Sequence, residues 1–359
     1  MDRRSFLKLS GLFSGGALLT IACGSDEEGD SAASTANLDP NRRVTLRLGY
    51  FPNITHSQPN VGLERGTYQQ VLGENVNLDP KTFNAGPSVI EAIFAGQLDA
   101  SYIGPNPAIN GFMQSQGKEV RIIAGATSGG ALFVIRPDRG ISRPADFANK
   151  RIASPQLGNS QDVALRAWLK QNSLKAREQG GNVSVQPTSN ADILTLFKKG
   201  DIDAAWVPEP WATRLVKEAD GKVYLDERTL WPDQQFVTTH LIVRPKYLNE
   251  NPDVVEKLLK AHVDVTEFIN QNPSEAKTLL NRSIEKATTA ALPVKVLDGA
   301  WQNQTVTVDP ISSSLKKSAD DAYALGFLPS KPDLASIYDL TLLNKVLKNT
   351  NLPEVNGLI

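Results

Sequence analysis

The sequence predicts an α/β protein with two similar lobes, and three observations lead to this fold class. Residues 96–107 read GQLDASYIGPNP, and roughly a hundred residues later residues 200–210 read GDIDAAWVPEP, so one pattern occurs twice. Two further pairs of segments keep nearly the same offset: 48–53 with 152–157, and 82–84 with 186–188. Stretches typical of strands also alternate with stretches typical of helices. Together these features predict a duplicated β-α-β-α-β unit.

The elements of the first lobe follow from hydrophobic spacing and turn residues. Strands are predicted at 44–50, 76–83, 100–103 and 120–125, and helices at 58–72, from the turn at 84–88 to 94, and at 107–116. Strands that alternate with helices favour a parallel sheet covered on both faces. From Asn251 onward the pattern is helical, and His262 falls on a face that we expect to pack in the core.

Two apolar runs resemble each other and predict how the lobes are joined. Residues 129–137 and 236–245 both end in Arg-Pro, and we interpret them as strands that carry the chain out of the first lobe and back. The predicted domains are listed by range: lobe one at 44–136, lobe two at 137–235, and a return strand with lobe-one completion and C-terminal helices at 236–359. A tandem arrangement with a single linker is the alternative. Trp206 is predicted to lie in the core, with 208–211 at the rim of a cleft.

The N-terminal residues indicate export and anchoring. Residues 3–8 read RRSFLK, a twin-arginine signal, and the apolar run at 9–22 is too short for a committed membrane span. The signal, predicted at 1–23, ends at Cys23, the only cysteine, which predicts lipidation of its thiol although Thr20 stands where leucine is usual. Plain cleavage is the alternative. Residues 24–43 are polar and small, which predicts a disordered tether.

Composition and missing motifs exclude several functions. A net charge of −1 gives no reason to expect nucleic-acid binding, and one cysteine with three histidines disfavours a metal site, so we expect no cofactor. No nucleophile elbow, phosphate loop or zinc-binding motif is present. Asp99 and Asp203 are interpreted as turn-forming residues. An enzyme would need His240 paired with Glu209 or His56, which we regard as the weaker alternative.

The loops after the predicted strands are rich in glycine, amides, hydroxyls and aromatic residues. In open α/β sheets ligands bind beyond the carboxyl ends of the strands, so these loops predict a site for a small polar ligand. The predicted ligand-binding residues are Tyr50, Asn53, Gly86, Ser88, Asn106, Ser128, Gln156, Gly158, Asn159, Ser160, Glu209, Trp211, Thr238 and His240.

Residues 158–160 lead directly into a predicted helix from 163 to 170. The free N–H groups and positive dipole end of such a helix bind an anion without a cationic side chain. Asp162 competes for the same dipole, which favours a monovalent anion. An ordinary helix cap is the alternative explanation of this segment.

Four segments carry a family resemblance: 83–88 (FNAGPS), 102–108 (YIGPNPA), 154–162 (SPQLGNSQD) and 206–212 (WVPEPWA). They resemble the periplasmic substrate-binding lipoproteins of ABC importers, in particular the aliphatic sulfonate, taurine and nitrate group. The resemblance spans about residues 44–348. It implies a two-lobed type II periplasmic-binding-protein fold that closes on its ligand and docks on a membrane permease with its ATPase. The group also includes binders of pyrimidine precursors, so the ligand is left open.

We therefore predict a monomeric, lipid-anchored periplasmic or cell-surface solute-binding protein that captures a small organic anion, with an alkanesulfonate first. Its head group is expected between the 158–160 helix start and the 86–88 or Asn106 loops. Its tail is expected on one of four aromatic residues: Tyr50, Phe51, Tyr102 or Trp211. Nitrate, taurine and a thiamine-pyrimidine precursor remain alternatives. Glu209 would favour a ligand with an ammonium group if it reached the cleft, and we expect it to face away.

Overall fold

The computed structural model describes residues 43–358, and their strands form two separate sheets. The strands are β1 (Val44–Tyr50), β2 (Val76–Thr82), β3 (Ala100–Ile103), β4 (Arg121–Gly129), β5 (Ala131–Ile135), β6 (Arg151–Ser154), β7 (Ser184–Pro187), β8 (Ala204–Pro208), β9 (Lys222–Asp226), β10 (Val237–Val243) and β11 (Gln304–Val306). One sheet has the order β11-β4-β10-β3-β1-β2 and the other β7-β6-β8-β5-β9. We call the parts built on these sheets the first lobe and the second lobe.

The two sheets repeat one strand order. With β11 set aside, β2-β1-β3-β10-β4 in the first lobe corresponds to β7-β6-β8-β5-β9 in the second. In each sheet the first three strands are parallel, and the fourth runs antiparallel to both of its neighbours. The predicted fold class, two α/β lobes joined by two crossing strands, is confirmed.

The first crossing lies earlier than the sequence suggested. The run at 131–135 was placed in lobe one, yet β5 pairs with β8 and β9 of the second lobe. The chain crosses at Gly129 and Gly130, whose φ angles of 74° and 76° favour glycine. A Cβ at Gly129 would lie 2.9 Å from the carbonyl oxygen of Asn303. A strand's sequence does not specify its pairing partner, which explains the difference.

Helices cover the sheets. They are α1 (Ser57–Arg65), α2 (Thr67–Leu72), α3 (Gly86–Phe94), α4 (Pro105–Gln114), α5 (Ser160–Gln171), α6 (Asn190–Lys199), α7 (Trp211–Glu218), α8 (Pro245–Glu250), α9 (Pro252–Gln271), α10 (Pro273–Thr288), α11 (Val294–Trp301), α12 (Ser312–Ala324) and α13 (Thr341–Asn349). The single helix predicted at 58–72 is two, α1 and α2. Gly66 separates them with a left-handed φ of 79°, and its N–H donates to the carbonyl of Leu63.

Each sheet is buried on both faces because side chains alternate along its strands. In β5, Leu132 and Val134 pack with one apolar cluster, whereas Phe133 and Ile135 pack with another on the opposite face. Trp206 is fully buried, as predicted, and stacks on Phe133 with ring centroids 5.0 Å apart. The first lobe likewise has one cluster on each face.

Asp99 and Asp203 do more than form turns, and this corrects their interpretation. Asp99 accepts hydrogen bonds from the backbone N–H and the Nε of Arg47, at 2.9 and 2.8 Å. Asp203 accepts from the backbone N–H and Nη2 of Arg151, at 2.8 and 3.2 Å. In both lobes 52 residues separate the arginine from the aspartate. Each carboxylate thus holds the neighbouring parallel strand, which only the folded sheet brings within reach.

Some predictions fall outside the described residues. The predicted signal at 1–23, including Cys23, and nearly all of the predicted tether at 24–43 precede residue 43, so they stay predictions. Across residues 43–358, no helix combines the length and apolar character that a membrane crossing requires.

Candidate functional site

A cleft of about 350 Å³, counting its open mouth, lies between the two lobes. We call it the cleft, and its lining comes from both sheets: Phe51, Asn53, Thr55, His56, Asn84, Gly104, Asn159, Ser160, Gln161, Asn190, Pro208, Thr238 and Thr239. Much of this space belongs to the open mouth, so the enclosed part of the cleft has room only for a small ligand.

The carboxyl ends of parallel strands create this arrangement. Asn53 follows β1, Asn84 follows β2 and Gly104 follows β3, while Asn190 follows β7 and Pro208 ends β8. Parallel strands place their carboxyl ends at one edge of a sheet, and the two edges face each other across the cleft. Glycine at 104 permits the close approach, because a Cβ there would lie 2.7 Å from the hydroxyl oxygen of Ser160.

The start of α5 supplies backbone donors. The first N–H groups of a helix have no acceptor within it, and Ser160 and Gln161 are the first two residues of α5. Their neighbour Gly158 is different, because its N–H donates to the Asp162 carboxylate at 3.0 Å. Of the predicted anion-binding segment 158–160, the Gly158 N–H is therefore already used, and the N–H groups at the helix start are those of Ser160 and Gln161.

Two buried side-chain atoms in the cleft lack partners among the described residues. They are the hydroxyl oxygen of Thr239, a residue only 1% exposed, and the amide oxygen of Asn190. An unpartnered buried polar group is costly, so its retention points to a ligand contact. Irregular pairing of β10 with β4 around Thr239 marks a bulge, a feature that re-aims side chains near functional sites.

Among the residues that the structure describes, 43–358, none that lines the cleft is a lysine, arginine, aspartate or glutamate. His56 is neutral, because burial lowers its pKa to about 3. Behind the start of α5, Asp162 accepts from Ser154 and pairs with Arg166, both of them buried with it. The site therefore offers neutral donors and no compensating cation for a second ligand charge.

An outer cavity adjoins the cleft and shares Phe51, Asn53, Asn84 and Asn190 with it. Its remaining lining consists of Pro52, Phe83, Ser189, Ala191, Trp211 and Thr288. The indole N–H of Trp211, from the second lobe, donates to the side-chain oxygen of Asn53, in the first, at 3.3 Å. Aromatic walls and one polar contact between the lobes characterise this cavity.

Some of the predicted site residues come together as expected. Asn53, Asn159, Ser160 and Thr238 line the cleft, and Trp211 lines the outer cavity. Asn106 lines a third, adjoining cavity together with Ser160, Gln161, Thr238 and Glu227, and its amide donates to the carbonyl of Ser318 at 3.1 Å.

Other predicted residues lie away from the three cavities. These are Tyr50, Gly86, Ser88, Ser128, Gln156, Gly158, Glu209 and His240. Tyr50 packs in the core of the first lobe, and Ser128 lies in β4, where it pairs with Val237 of β10. A Cβ at Gly86 would meet Pro107 at 2.3 Å, so this glycine permits the close packing of the start of α3 against the start of α4. Position at a strand end did not determine the direction of the side chain.

Glu209 and His240 are both fully buried with partners elsewhere. Glu209 accepts from the N–H and hydroxyl of Thr213 and from the amide of Asn303. His240 contacts the carbonyl of Pro310 through Nε2, and burial lowers its pKa to about 4. Neither joins the other in an acid–base pair at the cleft.

Of the aromatic residues expected at a ligand tail, Phe51 lies at the cleft as predicted and Tyr102 does not. Tyr102 is buried, and its hydroxyl contacts Tyr68 and His262. His262 completes its contacts at the carbonyl of Gly125, 2.8 Å from Nε2, which confirms it as a core histidine.

The predicted ligand-binding residues did not include His56, Asn84, Gln161, Asn190 and Thr239, which also line the cleft. Asn84 and Asn190 could have been found from the repeat, because both follow the second strand of their lobe. Thr239 depends on the bulge in β10, which no local pattern announced. His56 ends one of the loops predicted to bind a ligand, but individually it was named only for the catalytic alternative. Within residues 43–358, no cluster of His, Cys, Asp or Glu could hold a metal ion.

Comparison with known proteins shows the family of the chain. Residues 39–282 match the model of the NMT1-like family. The chain belongs to the NMT1-like family. Among relatives, the taurine-binding periplasmic protein of Escherichia coli K12 is 27% identical over 220 residues, which is 61% of this chain and 65% of the relative. A putative aliphatic sulfonates-binding protein of the same organism is 23% identical over 311 residues, 80% of this chain and 92% of the relative.

The structural comparison agrees on the fold. The alkanesulfonate-binding protein SsuA from Xanthomonas axonopodis pv. citri, bound to MOPS, superimposes with a TM-score of 0.70 at 19% identity, covering 83% of this chain and 99% of that one. The resemblance predicted from the sequence is confirmed. The two relatives from Escherichia coli are binding proteins by name, and the prediction of a solute-binding protein rather than an enzyme is confirmed.

Proposed function

We propose that this protein is the solute-binding component of an ABC import system and captures a small organic monoanion, with an aliphatic sulfonate as the first candidate. The observation that carries the proposal is the cleft between the lobes, where neutral donors meet an unpartnered hydroxyl on Thr239. The ligand-contact residues in this proposal are Asn53, His56, Ser160, Gln161, Asn190 and Thr239.

The head group is assigned to the cleft. A sulfonate spreads one negative charge over three oxygens, and these can accept from the N–H groups of Ser160 and Gln161 and from the hydroxyl of Thr239. The dipole of α5 adds favourable charge at that point. Donors that are fixed before binding and shielded from water bind an anion more strongly than the same donors in solvent.

The apolar end of the ligand is assigned to the outer cavity. Phe51 is shared between the cleft and this cavity, so it lies where a tail would leave the head-group site. Phe83 and Trp211 extend the aromatic surface from opposite lobes. An alkyl group placed there would be removed from water, which contributes roughly 0.8 kcal/mol for each buried methylene group.

Glu209 supports a simple anion over a ligand with an ammonium group. An acidic side chain in the cleft would attract an ammonium, but Glu209 is fully buried and engaged by Thr213 and Asn303. No carboxylate lines either the cleft or the outer cavity among the described residues.

Titration calorimetry of the purified full-length chain tests the ligand class. Methanesulfonate, ethanesulfonate, nitrate, taurine and a thiamine-pyrimidine precursor form the panel. Ethanesulfonate is expected to bind more tightly than methanesulfonate, because its longer tail reaches more of the outer cavity. Preferential binding of taurine would indicate an aminosulfonate ligand. If none of the anions produced heat on titration, the proposal would be overturned.

Delivery to a membrane is the second part of the proposal. The two lobes would close around the ligand by a hinge where the chain crosses between them, and would present the closed form to a permease and its ATPase. Export through the twin-arginine signal and anchoring at Cys23 would hold a monomeric protein at the periplasmic or outer face of the membrane. Periplasmic relatives support the compartment.

A further inference from the structure

His56 follows β1 in a short 3-10 helix, Ile54–His56, and lines the cleft while only 2% exposed. Its Nδ1 lies 3.3 Å from the backbone nitrogen of Phe51, which donates to it. The imidazole also stacks on the Phe51 ring, with centroids 4.2 Å apart and planes 23° apart. Asn60 fixes the residue from α1, because its amide donates to the His56 carbonyl at 2.7 Å.

These contacts determine the tautomer. A ring nitrogen that accepts a hydrogen bond carries no proton, so in the neutral imidazole the proton is on Nε2. No partner for Nε2 occurs within residues 43–358, although His56 lines the cleft. The histidine thus retains one unused N–H group.

Within the described part of the chain, no charge near His56 favours its protonation. The titratable group facing it is the phenol of Tyr102 on β3, edge-on with ring centroids 6.4 Å apart, and that hydroxyl contacts Tyr68 and His262. The second-lobe residues that line the cleft opposite are uncharged. On α5, Asp162 is paired with Arg166 and directs its oxygens to Ser154 and Gly158. Burial lowers the pKa of His56 to about 3.

We propose that His56 is a specificity-determining residue that contacts the anion through a neutral Nε2–H group and so selects monoanions over dianions. The inference rests on the proposed anion site and adds the residue that selects the charge of its ligand. A protonated histidine would supply a positive charge for a dianion such as sulfate. A neutral one supplies only a hydrogen bond, so a second ligand charge would be buried without compensation.

The first test measures protons together with affinity. Ethanesulfonate is titrated into the full-length chain between about pH 5.5 and about pH 8, in two buffers that differ in ionisation enthalpy. A neutral His56 predicts no proton uptake and a dissociation constant that stays within roughly twofold. Uptake approaching one proton for each ligand near about pH 6 would overturn the inference and leave the anion site itself intact. Sulfate is expected to bind roughly a hundredfold more weakly than ethanesulfonate, and comparable affinities would also overturn it.

Two variants separate hydrogen bonding from shape. His56→Gln keeps a neutral N–H donor and is expected to bind ethanesulfonate within roughly threefold of the parent, whereas His56→Leu is expected to lose roughly tenfold. Equal affinities of the two variants would contradict a donor role. Because either variant can fail to fold, ¹⁵N chemical shifts of the parent protein provide an independent reading. Shifts of an Nε2–H tautomer with ligand bound support the inference, and those of an imidazolium overturn it.

Discussion

Glu209 of the second lobe accepts a hydrogen bond from Asn303 of the first lobe, with Oε1 and Nδ2 2.6 Å apart. The same two residues also form hydrogen bonds with the backbone of Gly130, where the chain crosses between the lobes. The N–H of Glu209 donates to the carbonyl of Gly130 at 2.8 Å, and the N–H of Gly130 donates to the carbonyl of Asn303 at 2.7 Å. One residue from each lobe therefore fixes the point where the chain passes between them. In the repeated motif, Glu209 stands where the first copy has Asn106. It lies at the crossing between the lobes.

Glu209→Gln is expected to destabilise the protein without removing a ligand contact. Its carboxylate faces three donors, and an amide must turn its own NH₂ toward one of them, which costs about 1–3 kcal/mol. Chemical denaturation measures the loss. A double-mutant cycle with Asn303→Ala should give a coupling of about 0.5–3 kcal/mol, because the two side chains share one contact. Additive effects of the two substitutions would contradict the proposed hinge contact.

Thr239→Val is expected to separate binding from stability. The hydroxyl of Thr239 has no partner among the described residues, so its removal should leave the free energy of unfolding unchanged or slightly raised. Affinity for ethanesulfonate should fall roughly tenfold, the effect of losing one hydrogen bond to a charged ligand. Calorimetry and thermal unfolding measure the two quantities.

Thr238→Val is the matched control for that substitution. The Thr238 hydroxyl already donates to the carbonyl of Gly129, so this variant should lose about 1 kcal/mol of stability. The assignment of Thr239 to the ligand would fail if Thr239→Val bound ethanesulfonate as tightly as the parent.

Asp203→Asn tests the strand-holding role of the repeated aspartates. Burial would by itself raise the pKa of Asp203, but hydrogen bonds and charge from Arg151, with the charge of Arg139, hold it below its usual value. The folded carboxylate therefore stabilises the protein above the ordinary pKa of about 3.9, and this contribution is lost as the pH falls through the lower folded value. The variant should be destabilised by about 1–3 kcal/mol at neutral pH.

Asp99→Asn is the matched comparison in the first lobe. Asp99 accepts from the backbone and side chain of Arg47, as Asp203 does from Arg151. Both variants should keep the affinity for ethanesulfonate, because neither aspartate lines the cleft. If either variant lost binding while its unfolding temperature stayed unchanged, a purely structural role would be wrong.

Glu227 is expected to make the stability of the protein depend on pH near neutrality. It accepts from the indole N–H of Trp206 at 2.7 Å, and burial raises its pKa to about 7 from an ordinary 4.5. The folded state holds this proton more tightly than the unfolded state, so the stabilising effect is complete below the ordinary value and declines as the pH rises to about 7. The difference corresponds to about 3 kcal/mol.

Thermal unfolding of the parent and of Glu227→Gln across this pH range isolates that effect. The uncharged amide cannot titrate, so the difference in stability between the two proteins should move in favour of the variant as the pH rises. A difference that stays constant with pH would show that Glu227 titrates normally. His240 and His262, whose burial lowers the pKa of each to about 4, act in the opposite sense in both proteins.

Cys23→Ser tests the predicted anchor. In the producing cell, the parent protein should fractionate with membranes and incorporate labelled fatty acid, because a diacylglycerol-modified cysteine adds apolar chains to the new N-terminus. The serine variant should be released in soluble form. Equal membrane association of both proteins would contradict lipidation, and replacement of Arg3 and Arg4 by lysine should block export of either form.

Much of the fold was predictable because its causes are local. The strand and helix periods, together with a motif that occurs twice, led to two α/β lobes before any contact was known. The position of β5 was not predictable, because an apolar run such as 131–135 can pair in either sheet. Gly66 was overlooked within a continuous helical pattern, although its left-handed conformation divides α1 from α2.

The site was predictable as a place and only partly as a set of side chains. Loops at strand ends had to meet at a cleft, which is why Asn53, Ser160 and Thr238 were found. Ser128 and His240 were predicted on the same grounds, yet neither lines the cleft. Thr239 lines the cleft at a bulge in β10, and a bulge depends on the partner strand.

The sequence by itself determined the duplicated architecture, the family and the chemical character of the binding loops, because these depend on residue types and their spacing. Tertiary structure decided which atoms remain free to bind. The Gly158 N–H is used by Asp162, the Glu209 carboxylate by Thr213 and Asn303, and the Nδ1 of His56 by Phe51. A hydrogen-bonding group is available to a ligand only when no other part of the folded chain has satisfied it. That condition exists only in three dimensions.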